Sequence, residues 1–221
     1  MFDTETAWGR ALTRLFQSHQ HTFNLHQHRQ NIGHRADPNE DDFAALSALT
    51  DQPRDRLEGR GEKLFHEEMQ SEQPFPGVRE FLAWAHEQDV PVAVASSSPR
   101  RLVQPFLDSH DFSPYLQYVS YADNAVPPKP APDVYLRALA QLGVPARQVI
   151  AVEDSSDGLR AAAAANIPCI CIGPTDTVPS LSADPHLQRV YDFRAAASFL
   201  RSHLLSPLRL PPYTAFAAGI R

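Results

Sequence analysis

Apolar residues recur along this chain with two different patterns. Up to about residue 72 they fall at helical spacing. Trp8, Leu12, Leu15 and Phe16 form a stripe of the kind that packs one helix on another. Asp37-Pro38-Asn39-Glu40 reads as a turn into a second helix through Leu46 and Leu49, which Asp51-Gln52-Pro53 ends. A further helix, charged on one side, is expected from about Pro53 to Gln70. At Phe75-Pro76-Gly77 the pattern changes. Short apolar runs at Val90–Ala95, Leu116–Val119, Val149–Val152 and Ile167–Ile172 now separate helical stretches. The helices are expected at Val78–Gln88, from Pro99 to near His110, at Val134–Leu142 and at Ala195–His203. The run at Val149–Val152 lacks hydrophobic–polar alternation, as a strand covered by helices on both faces does. The expected fold class is α/β: a Rossmann-like parallel sheet flanked by helices over 75–203, with an α-helical segment at 1–74. The stretch 204–221, with Pro207, Pro211 and Pro212, reads as a flexible tail.

Charge and composition narrow the possible partners. The formal net charge is −6 and no basic run stands out, which argues against nucleic acid or an anionic membrane surface as partner. No apolar segment approaches the length that spans a bilayer, and the start does not resemble a signal peptide, so the chain reads as cytoplasmic. Cys169 and Cys171 are too close in sequence for an unstrained bridge and read as buried thiols. His19, His21, His26, His28 and His34 form a His-rich tract, but no cysteine or fixed spacing supports a metal there. A solvated helix and loop is the expectation.

Three stretches carry chemistry. The strand Val149–Val152 runs straight into Glu153 and Asp154, with Asp157 one turn on, so carboxylates gather at the carboxyl edge of the sheet. Hard oxygen ligands there suit Mg²⁺; acids decorating a helix N-terminus are the plainer alternative. After the strand Val90–Ala95 comes Ser96-Ser97-Ser98-Pro99, where Ser98 reads as an N-cap and Pro99 as the first helical residue. The amides of 96–100 then face outward as an anion site, unless the serines serve only as a cap. Lys129 stands between Pro128 and Pro130, whose rings restrict the backbone and lower the entropy cost of aiming its ammonium at a phosphate or carboxylate.

In this order and spacing the three stretches resemble the haloacid dehalogenase superfamily of phosphatases and phosphomutases, most of all its β-phosphoglucomutase-like branch. The match covers about residues 1–200, and the segment before Phe75-Pro76-Gly77 resembles that branch's helical cap. The resemblance implies that Ser96 and the amide of Ser97 hold a transferred phosphoryl group and that Lys129 neutralises it. It further implies that Asp154 ligates Mg²⁺ and that Glu153 and Asp157 assist directly or through water. Arg35, in Ile32-Gly33-His34-Arg35, would touch the leaving group. The implied reaction is Mg²⁺-dependent hydrolysis of a small phosphorylated metabolite, such as a sugar phosphate, through an aspartyl phosphate. Phosphomutase activity, or a degenerate phosphate-binding protein, is the alternative. Oligomeric state is left open.

One departure stands out. The family opens with a strand ending in Asp-x-Asp, whose first aspartate is the nucleophile, and an Asp-Thr-Glu segment follows shortly. This chain opens Met1-Phe2-Asp3-Thr4-Glu5, just downstream of that point. The first central strand is therefore expected to be missing, with the chain inactive as it stands and its start misplaced or its front removed. Such an opening in the sheet would exceed the usual stability margin of roughly 5–15 kcal/mol.

Overall fold

The computed structural model describes residues 1–25, 42–123, 126–173, 187–204 and 215–220. The chain divides into two compact units, Asp3–Gln73 and Met1–Phe2 with Pro74–Arg221.

In the first unit the described residues form α1 (Thr4–Ser18), α2 (Asp42–Thr50) and α3 (Arg54–Met69). Asp3 caps α1, its Oδ1 accepting from the Thr6 amide at 3.0 Å. The expected stripe faces inward: Leu12, Leu15 and Phe16 bury with Leu46 and Leu57, while the Trp8 ring lies 4.7 Å from that of Phe65. Arg10 and Arg14 on α1 bridge to Glu67, Glu68 and Glu72 at and just beyond the end of α3. The histidines His26, His28 and His34, and Arg35, lie outside the described residues. Among those described, no three His, Cys, Asp or Glu side chains are grouped to hold a metal.

The second unit is built on a six-stranded sheet. Its elements are α4 (Val78–Glu87), β1 (Val92–Ser96), α5 (Arg100–Ser109), β2 (Tyr118–Ser120), α6 (Asp133–Leu142), β3 (Val149–Glu153), α7 (Ser156–Ala164), β4 (Cys169–Ile172), β5 (Leu187–Val190), α8 (Phe193–Leu204) and β6 (Ala215–Ile220). The strand order is β2-β1-β6-β3-β4-β5 and every pairing is parallel. Strands β1, β3 and β4 are buried at every position, which is why their sequences are apolar without alternation. Tyr135, Ala138, Leu159, Ala161 and Ala162 of α6 and α7 pack on Ala93, Ala95, Ala151 and Ala217 of the sheet. The rings of Phe81 on α4 and Phe193 on α8 pack edge to face at 5.7 Å. Gly77, at φ 87, caps α4 where a Cβ would strike the Arg194 backbone, so only glycine suits this boundary.

Two strands were not expected. β5 is short and carries Gln188 and Arg189, which hide its signal. β6 matters more, because it lies in the middle of the sheet. Residues 215–220, taken from the sequence as part of a flexible tail, pair with β1 from Val92↔Phe216 to Ser96↔Ile220 and with β3 from Val149↔Ala215 to Val152↔Ala218. The central position expected to stand open is thereby filled. The physical reason is the pair of strand edges that β1 and β3 present, each a row of backbone donors and acceptors that is costly to bury unpaired. Alanine and glycine are poor strand formers, but Ala217, Ala218 and Gly219 are buried here, where pairing on both sides outweighs local preference. Beside β6, the Met1 amine donates to the Gly219 carbonyl at 3.4 Å and the Phe75 amide donates to the Met1 carbonyl at 2.9 Å.

Candidate active site

Because β1 and β3 run parallel on either side of β6, Ser96 and Glu153 end at the same edge of the sheet. Ser96 is fully buried, and its hydroxyl accepts from the Ser98 amide at 3.0 Å. Helix α5 starts one residue later than expected. Pro99 stands at the N-cap, and the Asp123 carboxylate, not Ser98, accepts from the Arg100 amide, at 3.1 Å. The Ser97 hydroxyl accepts from the Lys129 amide at 3.1 Å, tying the loop after β1 to the proline-rich loop before α6.

That tie aims Lys129 inward. Its ammonium pairs with Glu153 Oε1, and neither side chain is exposed to solvent. The Tyr135 hydroxyl donates to the same oxygen, while the Ser155 hydroxyl donates to Oε2 at 3.3 Å. Lys129 Nζ lies 5.2 Å from the centre of the Tyr135 ring, a cation–π contact. The Glu153 carboxylate lies over Gly158 and Gly219, where a Cβ at either position would overlap it. Burial, then the charge of Glu153, pushes the Tyr135 phenol well above its ordinary value, so it stays a donor.

Ser155 caps α7, accepting from the Gly158 amide at 2.9 Å. Asp157, in the first turn, pairs with Arg160. Asp154 is half-buried. Burial raises its carboxyl above the ordinary value and Glu153 adds to this, while the Met1 ammonium and Lys129 oppose it.

The sequence-expected residues Ser96, Ser97, Lys129, Glu153 and Asp154 thus gather at one rim. The three acids named for Mg²⁺ are not grouped about one point as they are folded. Glu153 is taken by Lys129 and Tyr135, Asp157 by Arg160, and no metal-holding group of three forms among the described residues. Mg²⁺ binds through one or two carboxylates, with waters and substrate phosphate completing its shell, and Asp154 is the acid that these contacts leave to meet it. Tyr135 and Gly219 were missed in the sequence. Tyr135 reads as one more apolar position of α6, and Gly219 lies in a short stretch rich in alanine beyond Pro211 and Pro212.

Comparison with known proteins decides the family. The pattern of the haloacid dehalogenase-like hydrolases matches residues 1–172. The chain belongs to the haloacid dehalogenase-like hydrolase family. Among relatives of this chain, a phosphoglycolate phosphatase of Pseudomonas fluorescens is 34% identical over 96 residues, 43% of this chain and 35% of its own. The protein CbbY, plasmid, of Cupriavidus necator is 38% identical over 103 residues, 45% of this chain and 40% of its own. The chain therefore spans well under half the length of these relatives. The fold is shared with CbbY from Rhodobacter sphaeroides, solved with xylulose-(1,5)bisphosphate. The TM-score is 0.72 at 22% identity, covering 87% of this chain and 90% of that one.

Proposed function

We propose that this hydrolase binds and hydrolyses the phosphate monoester of a small phosphorylated metabolite. The reading is carried by the Ser97–Lys129 tie, which joins the loop after Ser96 to the loop that carries a desolvated ammonium at the sheet's carboxyl edge. In phosphoryl transfer the protein's work is mostly positioning and charge neutralisation, and a buried lysine on a proline-stiffened loop suits both. Ser96 and the Ser97 amide would hold the phosphoryl oxygens, with Lys129 balancing their charge. Of the acids that the family resemblance gives to Mg²⁺, Asp154 is the one left for a cation to meet.

A second reading is favoured by one observation. The central strand ends in Gly219 and Ile220, so it brings no carboxylate to the edge where the family's nucleophile would stand. On that reading the chain binds phosphate monoesters without turning them over, and phosphomutase chemistry is excluded with hydrolysis.

The test is hydrolysis of p-nitrophenyl phosphate, phosphoglycolate and a set of sugar phosphates, with and without MgCl₂, alongside calorimetric titration of inorganic phosphate. Turnover that falls about a hundredfold or more in Lys129→Met supports the first reading. Phosphate binding without turnover supports the second, and absence of both sinks the site.

A further inference from the structure

We infer that Glu153 serves this chain as the fixed counter-ion of Lys129 and not as a ligand of a divalent cation, and that Tyr135 is the positioning residue that holds it there. Both oxygens of Glu153 are engaged. Oε1 accepts from Lys129 and from Tyr135, and Oε2 accepts from Ser155. The side chains of the pair have no solvent exposure. Their seat is shaped for them, because the glycines at 158 and 219 leave the space that a Cβ would take from the carboxylate.

To ligate a cation at the open rim, the carboxylate would have to leave this seat. Lys129 would then be a buried charge without its partner, and Tyr135 a buried hydroxyl without its acceptor. Both are costly states in a dry interior. Asp154, the next residue, is half-buried, so a cation can meet it while Glu153 stays in place.

Tyr135 touches both members of the pair. Its hydroxyl fixes the acid, and its ring lies 5.2 Å from the ammonium. It projects from the first turns of α6, Asp133–Leu142, so the helix sets its position independently of the loop that carries Lys129. The hydroxyl thereby aligns the ammonium through the acid. This role deepens the phosphate-site reading and rests on it only in taking Lys129 as the group that meets phosphate.

Lys63 and Lys129 are the only lysines in the sequence, and Lys63 is exposed. The full chain labelled with ¹⁵N at lysine Nζ therefore yields a simple spectrum, which Lys63→Arg assigns. The readout is the hydrogen-exchange rate of the Lys129 ammonium. Addition of MgCl₂ to the wild-type chain is expected to leave that rate unchanged. Tyr135→Phe, which keeps the ring, is expected to raise it about tenfold, the weight of one hydrogen bond to a charged group. A rise in exchange on adding MgCl₂ would show Glu153 drawn away and would overturn the assignment. An unchanged rate in Tyr135→Phe would overturn the role of Tyr135. Inorganic phosphate forms a separate arm: a Lys129 signal that ignores it counts against the phosphate site, while the magnesium arm still decides the role of Glu153.

Discussion

Lys129 and Glu153 form an ion pair whose side chains are both wholly withdrawn from solvent, although 24 residues separate them along the chain. Two charges are buried together, and each depends on the other. Removing one partner leaves the other as an uncompensated charge, at a cost of about 3–5 kcal/mol. Glu153→Gln and Lys129→Met should each lower the unfolding free energy by that order, read from the shift of the urea midpoint. The double variant should be less damaged than the sum of the two, because neither charge is then stranded. Additive losses in the double-mutant cycle would mean that the two groups do not sense each other.

Gly219 makes room for that pair from the central strand. Gly219→Ala puts a methyl into the Glu153 carboxylate. The expected loss is about 1–3 kcal/mol by overpacking. In a Glu153→Ala background the same methyl meets empty space, so the loss should shrink. An equal loss in both backgrounds, measured by denaturant unfolding, would contradict the placement of β6 beside Glu153.

Tyr135 gives the pair an alkaline limit. Burial, then the charge of Glu153, raises its folded pKa well above the ordinary phenol value. The unfolded chain therefore gives up this proton first. The protonated phenol contributes its stability in full below the unfolded value, and that contribution falls as pH climbs from there through the folded value. The wild-type chain should lose stability above about pH 10, a loss that Tyr135→Phe reduces. At neutral pH the same variant should be weaker by about 1.5–3 kcal/mol, having lost a hydrogen bond to a charged group. Parallel stability-against-pH curves for the two proteins would refute this.

In the helical unit the sign is opposite. Hydrogen bonds from Arg10 and then Arg14 hold Glu68 below the ordinary carboxylate range. The stability this brings is present above the unfolded value and is lost as pH falls through the folded one. The guanidiniums are 41% and 44% exposed, so solvent screens the pairs and each contributes little. Glu68→Gln should therefore lower the melting temperature modestly at neutral pH and hardly at all once the pH has fallen below the folded value of Glu68, where both proteins carry a neutral group. A gap between them that persists in acid would point to packing as its source.

The helices and most of the strands could be read from the chain because their causes are local. Apolar spacing marks α1 and α4, proline and glycine punctuate the boundary at Phe75-Pro76-Gly77, and a run of buried residues ending in Glu153 and Asp154 announces β3 and its edge. The three loops that meet at the rim were legible for the same reason, since each carries its own serine, lysine or acid. The place of β6 and the direction of Glu153 have no local cause. Four of the six residues of Ala215–Ile220 are alanine or glycine, which weakens its strand signal, and β1 and β3 offer it backbone partners on both sides. The acids after β3 look like metal ligands as long as only their neighbours in sequence are considered. Folding brings Lys129, Tyr135 and two bare glycine backbones to Glu153, and these distant contacts turn a candidate ligand into a counter-ion.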